Sequence, residues 1–215
     1  LICNSILVLG PVIWTIMASF KKGNNLFSST FSGIEFTFDH YITLFTDTPY
    51  MQWYLNTFIL ATANMLISLV VVTMTAYVFS RYRFRGKRNT LMSILVLQMF
   101  PAFLSMTAIY ILLSKANLID TYTGLLLVYV TGSLPFMTWL VKGYFDAIPT
   151  SLDEAAKIDG AGHLTIFIQI ILPLAKPILV FVGLVSFTGP WMDFILPTLV
   201  LRSEDKMTLA IGIFS

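Results

Sequence analysis

Charged residues are scarce in this 215-residue sequence, and their scarcity excludes most soluble proteins. Only 11% of the residues are Asp, Glu, Lys or Arg, whereas 57% are hydrophobic. A soluble domain carries about 25% charged residues, and a chain of this length has too much surface to hide so many apolar side chains in one core. The composition therefore predicts an integral membrane protein.

Residues that support metal binding or nucleophilic chemistry are rare as well. A single cysteine, Cys3, excludes an internal disulfide and a cysteine-based metal cluster. The two histidines, His40 and His163, lie far apart and outside the apolar stretches, so a Ser/His or His–metal site at membrane depth is not favoured. No G-x-x-x-x-G-K-[ST] phosphate-binding motif occurs either. We therefore expect that the chain is not an enzyme and has no metal, cofactor or ATP site of its own.

Five apolar stretches approach the length of about 20 residues that a helix needs to cross a bilayer core. The first, residues 2–20, is interpreted as a spanning helix rather than a signal peptide, because no small-residue cleavage site follows it. The others are residues 54–79, residues 91–113 with Pro101 inside, residues 124–141 with Pro135 inside, and residues 178–201, broken by Gly189, Pro190 and Pro197. The predicted fold class is an all-α, polytopic transmembrane helix bundle.

The distribution of basic residues predicts the orientation of this bundle. Residues 80–89 contain five basic residues and no acidic one, which is typical of a cytoplasmic loop. A basic run between two spans is not a good candidate for nucleic-acid binding. Counting spans outward from this basic loop puts the N-terminus in the cytoplasm and divides the chain into three parts. The first is a transmembrane helix (1–20), and the second is an extracellular loop (21–53) with a short interfacial helix near 38–45. The third is a membrane core (54–215) that contains a cytoplasmic loop at 142–176.

The loop at 142–176 has helix signals of its own. Ser151 and Glu154 fit a capping box, in which each side chain satisfies the other residue's free N–H, and Asp153 lies at the positive end of the helix dipole. Gly160 is expected to end this helix, and a second amphipathic run, residues 164–172, follows. Two short helices that meet at a glycine offer a small-residue surface to another protein; the alternative is a loop that merely connects two spans.

Seven positions of this loop resemble the EAA motif of permease subunits of binding-protein-dependent ABC importers: Glu154, Ala155, Ala156, Gly160, Ile170, Leu172 and Pro173. Residues 81–87, 97–101 and 142–145 are similar to the carbohydrate type of this family, in particular to MalG-like subunits of maltose/maltodextrin importers. The resemblance covers most of residues 50–213. One departure is Met192, where sugar permeases often have asparagine after the tryptophan.

The resemblance implies that the loop forms coupling helices that dock on an ATPase. The expected docking residues are Ser151, Asp153, Glu154, Ala155, Ala156, Asp159, Gly160, Ile170, Leu172 and Pro173. It further implies a bacterial plasma membrane location, a second, MalF-like permease subunit, a dimer of ATPase subunits that binds ATP and Mg, and an extracellular sugar-binding protein. The expected substrate is maltose or a malto-oligosaccharide, and a sixth helix is expected beyond Ser215.

Three polar or aromatic residues are candidates for lining a translocation pathway: Trp191, Asp193 and Gln98. A carboxylate within a span is costly and therefore a candidate functional group, although Asp193 could instead lie at a hydrated helix end. Gln98, like Asn56 and Asn64, could instead hydrogen-bond between helices. The main alternative function is a stand-alone secondary transporter or channel, for which Asp193 would be the one coupling carboxylate. The mixed-charge turn 202–206 either meets an extracellular protein or is simply solvated.

Overall fold

The computed structural model describes residues 2–22, 36–99 and 101–214, and within these ranges the regular elements are helical apart from one isolated bridge between Lys21 and Phe36. The helices are α1 (Ile2–Ser19), α2 (Asp39–Thr46), α3 (Tyr50–Arg81), α4 (Lys87–Gln98), α5 (Met106–Lys115), α6 (Tyr122–Ala147), α7 (Thr150–Ile158), α8 (His163–Ile166), α9 (Leu172–Leu174), α10 (Lys176–Met192), α11 (Ile195–Val200) and α12 (Leu209–Phe214). Turns of 3₁₀ helix cover Ala102–Ser105 and Glu204–Lys206, and a π-helical turn covers Phe167–Ile171. The all-α fold class is confirmed.

Two compact units divide the chain, Leu1–Gln52 and Trp53–Ser215. In the first unit, the carboxyl end of α1 packs against α2: the ring of Phe20 lies 5.4 Å from that of Phe38 and 5.3 Å from that of Tyr41, and the hydroxyl groups of Ser19 and Tyr41 are 2.7 Å apart. The short helix expected near 38–45 is therefore confirmed as α2. Part of the expected extracellular loop, residues 23–35, lies outside the described residues.

The second unit contains the candidate membrane spans. Helices α3 and α6 are each long and apolar enough to cross a bilayer, and two further bent helix pairs meet the same test if each pair is one span. Helix α6 runs through Pro135 as expected. The boundaries predicted for the extracellular loop (21–53) and for the membrane core (54–215) stay predictions. The spanning role predicted for α1 stays a prediction too.

The third predicted span, residues 91–113 with Pro101 inside, is not one continuous helix but a bent pair of helices; that the pair forms one span stays a prediction. Helix α4 ends at Gln98, and the following helical segment turns away by 90°. Pro101 adopts an extended conformation (φ −60°, ψ 120°). Because its ring removes a backbone donor and blocks the preceding turn, the helix ends before it instead of bending through it.

The fifth predicted span was expected to break at Gly189 and Pro190, whereas α10 continues through both to Met192. Pro190 has no N–H, so the carbonyl oxygen of Ser186, one turn earlier, loses its helical donor. The buried side-chain amide of Asn64 on α3 donates to that oxygen over 2.7 Å. A neighbouring helix thus satisfies the freed carbonyl, and the chain bends instead at Asp193, before α11.

Two clusters of buried apolar side chains hold the second unit together. One joins α3, α6 and α10 to the loop after α6 and includes Val72, Phe145, Ile166, Ile171 and Val182. The other joins α3 and α6 to the carboxyl-terminal helices and includes Leu60, Leu125, Leu196, Val200 and Ile211. The loop that carries the candidate site packs against the first cluster.

Candidate functional site

Helix α7 begins the loop that carries the EAA-like motif. It starts at Thr150 directly after Pro149, and no side chain caps its amino terminus. The expected capping box of Ser151 and Glu154 is therefore wrong. The reason is geometric: the helix begins at Thr150, so Ser151 already lies within the first turn and its hydroxyl is not at the N-cap position. Pro149 suits the start of a helix because it has no N–H to leave unsatisfied.

The carboxyl end of α7 is closed by a glycine turn, as the sequence predicts. The N–H of Ala161 donates to the carbonyl of Ala156 over 2.9 Å, and that of Gly160 donates to the carbonyl of Lys157 over 3.0 Å. These two bonds are the Schellman pattern. Gly160 has φ +84°, a conformation that costs an L-residue about 1–2 kcal/mol. The glycine is therefore required by the backbone of the turn.

One face of α7 and its glycine turn is exposed, and we call residues 154–160 of this face the α7 surface. Glu154, Ala155, Asp159 and Gly160 are exposed, and the side chain of Ile158 is 87% exposed. Ala156 lies on the opposite side and packs against the first core cluster. The outward residues thus combine two small residues, Ala155 and Gly160, and the apolar Ile158 with the charged residues Glu154, Lys157 and Asp159.

Asp153 points inward instead of toward this surface. Its carboxylate oxygen Oδ2 lies 2.7 Å from Nε of Arg81, and both side chains are less than a tenth exposed. The other guanidinium nitrogens of Arg81 donate over 3.0 Å to the carbonyl oxygens of Phe145 and Ile148, at the end of α6. Arg81 thus ties α3, α6 and α7 together. Sequence reasoning used Arg81 only as a sign of orientation; its place at the end of a span, opposite an acidic helix start, was the available signal.

The second half of the loop is helical but irregular. Helix α8 leads into the π-helical turn Phe167–Ile171 and then α9, after which α10 turns away by 82°. The expected run 164–172 is confirmed, although it continues past Pro173 to Leu174. Ile170 and Leu172 pack against the first core cluster, whereas Pro173 is exposed. Helical π-turns are frequent at functional sites.

The pathway candidates fall into two places. The ring of Trp191 packs against those of Tyr54 (5.2 Å) and Phe187 (6.0 Å). Oδ1 of Asp193 accepts from the N–H groups of Ile195 (3.0 Å) and Leu196 (3.2 Å), so its carboxylate caps the start of α11.

Gln98 is exposed at the end of α4. Within the described ranges, no hydrogen bond links it to Trp191 or Asp193. Asn64 and Asn56 do bond between helical segments, Asn56 through its amide to the carbonyls of Asp205 and Met207. Their predicted role as structural hydrogen-bond donors is confirmed.

The opposite end of the second unit is held by Asp120, which sequence reasoning missed. Its carboxylate accepts from the hydroxyl of Ser203, from the N–H groups of Arg202 (2.9 Å) and Ser203 (3.0 Å), and from Nζ of Lys206 (2.9 Å). The Ser203 hydroxyl first, then these N–H groups and Lys206, hold the pKa of Asp120 well below its usual range. The turn 202–206 is therefore a rigid element.

The substitution Asp120→Asn is expected to lower the thermal unfolding midpoint of the purified protein by a few degrees at neutral pH. Because the folded-state pKa of Asp120 is depressed, its contribution is complete above the unfolded pKa of about 3.9 and is lost as the pH falls toward the folded value. The difference between the unfolding midpoints of wild type and variant is thus expected to be the same at pH 7 and pH 5. This difference in midpoint becomes smaller only below about pH 4. A difference that disappears already between pH 7 and pH 5 would contradict the stabilising role of the Asp120 carboxylate.

Comparison with known proteins gives consistent matches. Residues 69–214 match the family "Binding-protein-dependent transport system inner membrane component". The chain is 42% identical over 212 residues to the maltodextrin transport system permease protein MdxG of Bacillus subtilis (strain 168), covering 98% of this chain and 76% of that protein. It is 43% identical over 214 residues to the galactooligosaccharides transport system permease protein GanQ of the same organism, with 98% and 76% covered. A crystal structure of a bacterial ABC transporter involved in the import of the acidic polysaccharide alginate matches with a TM-score of 0.87 at 26% identity, over 97% of this chain and 74% of that one.

Proposed function

The chain belongs to the inner membrane component family of binding-protein-dependent transport systems, and from that premise we propose that the α7 surface is where a separate ATPase subunit docks. The chain is a multi-pass permease subunit of the carbohydrate ABC importer type, so it works with a partner permease, an ATPase and a substrate-binding protein. A stand-alone secondary transporter or channel is not favoured.

The observation that supports docking is the combination of an exposed helix surface with a buried anchor. An outward-facing isoleucine, Ile158, is 87% exposed on the α7 surface, where it offers an apolar contact to a partner. The same helix is fixed from behind by the Arg81–Asp153 ion pair. A surface that is both accessible and rigidly connected suits the transmission of a movement.

The proposed mechanism is mechanical. ATP and Mg are bound by the ATPase dimer, whose closure displaces α7. Arg81 contacts α7 through Asp153 and the end of α6 through the carbonyls of Phe145 and Ile148. Displacement of α7 is therefore passed to α3 and α6 through one side chain, and the helix bundle alternates between outward and inward access.

The finer assignments follow from the basic turn and from the relatives. The N-terminus and the α7 surface are cytoplasmic, because residues 80–89 carry five basic residues and no acid. The partners are a MalF-like second permease subunit and an extracellular sugar-binding protein. The substrate is a malto-oligosaccharide, supported by the maltodextrin relative; the galacto-oligosaccharide relative supplies the competing substrate class.

The substitution Gly160→Asp is expected to reduce the ATPase retained by the purified transporter about tenfold, a loss of about 1.4 kcal/mol. A Cβ atom at position 160 meets nothing within 4 Å in this chain, so the added carboxylate projects into the docking partner. The positive φ of Gly160 adds strain of about 1–2 kcal/mol in the turn itself. The full-length chain is expressed with its partner subunits, and the co-purifying ATPase and the uptake of labelled maltotriose are measured, with unlabelled galacto-oligosaccharide as competitor.

The control for the added charge is Gly162→Asp, which adds the same charge two residues outside the α7 surface and without the strain of a positive φ. Gly162 has φ −76° and precedes α8, a position where aspartate is a favourable N-cap. The control is expected to retain the ATPase and to import. Equal loss in both variants would contradict the assignment to the α7 surface, and a wild-type chain that purifies alone and moves solute without ATP would overturn the importer proposal.

A further inference from the structure

A basic cavity lies beside the start of α4 and is distinct from the α7 surface. Its volume is about 470 Å³, and its lining includes Phe84, Lys87, Arg88, Met92, Trp139 and Lys142. This size lies within the range of small-molecule binding pockets. The cavity is formed by the basic turn after α3 on one side and by α6 on the other.

The charge balance of this cavity is positive. Nζ of Lys142 pairs with the carboxylate of Asp146, which the hydroxyl of Ser80 also reaches. Lys87 donates to the carbonyls of Ser80 (3.4 Å) and Tyr82 (3.1 Å), so its charge is not cancelled. Arg88 is exposed and makes no ion pair with any residue that the structure describes. Of the three cations in the lining only Lys142 is paired with an acid, so the cavity carries a net positive charge and attracts an anion.

The apolar lining leads from these cations along α4. The indole N–H of Trp139 donates to the carbonyl of Leu91 over 3.2 Å, which holds the ring at the cavity wall. Met92 is 48% exposed and Val96, one turn further along α4, is 64% exposed. A ligand that bridges the cavity and this surface needs an anionic head and a hydrocarbon tail.

We propose that this cavity binds the headgroup of an anionic phospholipid of the cytoplasmic leaflet. The phosphate lies between Arg88, Lys87 and Lys142, and the acyl chains follow Met92 and Val96. The proposal rests on the proposed orientation of the chain, which puts the basic turn at the cytoplasmic interface. Tryptophan is enriched at such interfaces, and basic pockets between spans on the cytoplasmic side suit anionic headgroups.

Native mass spectrometry of the complete detergent-purified transporter tests the proposal. The complex is titrated with phosphatidylglycerol or with phosphatidylcholine, with and without an excess of inorganic phosphate. Wild type is expected to retain phosphatidylglycerol in preference to phosphatidylcholine, and inorganic phosphate is not expected to displace it. Arg88→Gln is expected to weaken phosphatidylglycerol binding about fivefold, the effect of losing one hydrogen bond to the phosphate.

The matched control is Arg85→Gln, which removes a charge from the same turn but does not line the cavity. Because the charge of Arg85 acts on the phosphate only through screened, long-range attraction, binding is expected to stay within about twofold of wild type. Equal retention of both lipids, equal weakening by the two variants, displacement by inorganic phosphate, or occupation of the cavity by a partner subunit in the complex would each overturn the proposal. The co-purifying ATPase and maltotriose uptake are recorded on the same samples. Loss of lipid binding with ATPase and uptake intact contradicts the lipid site alone, whereas absence of both contradicts the importer proposal.

Discussion

The substitution Arg81→Ala is expected to destabilise the loop after α6 by about 3–5 kcal/mol, because it leaves the buried carboxylate of Asp153 without its partner. Oδ1 of Asp153 is already buried without a hydrogen-bond partner in the described part of the chain, so no other group is in place to compensate. The carbonyls of Phe145 and Ile148 lose their donors at the same time. Helix α7 then detaches from α3, and sugar uptake by the assembled transporter falls at least tenfold.

Thermal unfolding, ATPase retention and maltotriose uptake of the purified complex check this expectation. Arg83→Ala serves as the control, because Arg83 is an exposed cation two residues away, and its effect is expected within about 0.5 kcal/mol. The double variant Arg81→Ala/Asp153→Ala is expected to be less destabilised than the sum of the two single variants, since both remove the same interaction. Strictly additive effects, or an Arg81→Ala variant that imports normally, would contradict the anchoring role.

The substitution Gly212→Ala is expected to destabilise the second unit by about 1–3 kcal/mol or more, as overpacking does. A Cβ atom at position 212 would lie 2.1–2.5 Å from three atoms of the Trp53 indole. Trp53 is only 8% exposed, so its ring cannot make room by turning into solvent without losing its buried contacts. Helices α3 and α12 must separate, which disturbs the second core cluster.

The midpoint of thermal unfolding measures this effect, with Gly183→Ala as the matched control. A Cβ atom at Gly183 would meet Leu69 at 3.6 Å, an ordinary contact, and alanine is the better helix former by about 1 kcal/mol. The control is therefore expected to be neutral or stabilising. Trp53→Leu/Gly212→Ala is expected to recover part of the loss. Equal stability of Gly212→Ala and wild type would show that the close approach of glycine and indole is not required.

Local sequence signals predicted the segments that depend on neighbouring residues alone. The helix that ends at Gly160 could be foreseen because only a glycine readily adopts the positive φ that its turn requires. A short helix near 38–45 was also expected, and the structure contains it as α2. The capping box at Ser151 was wrong: the residues fit the motif, but the helix begins earlier, at Thr150 directly after Pro149.

Proline positions show where local signals are insufficient. Pro101 ends a helix, whereas Pro190 is accommodated within one, although both lie in apolar stretches. The difference is the buried amide of Asn64, which satisfies the carbonyl that Pro190 frees. Asn64 is 122 residues from Ser186 in the chain, so no window of sequence contains both groups.

By itself the sequence determined the membrane class, the helical fold and the position of the loop after α6. The length of the apolar stretches, the clustering of basic residues and the glycine at a helix end are signals that act within a single helix or turn. Only the tertiary structure decided which acidic residue of that loop faces inward. Asp153 and Glu154 are adjacent and chemically similar, yet Asp153 is buried against Arg81 and Glu154 is exposed. Helix α7 packs with one face against the first core cluster, and the 100° step between neighbouring helical residues then separates an anchor from a surface residue.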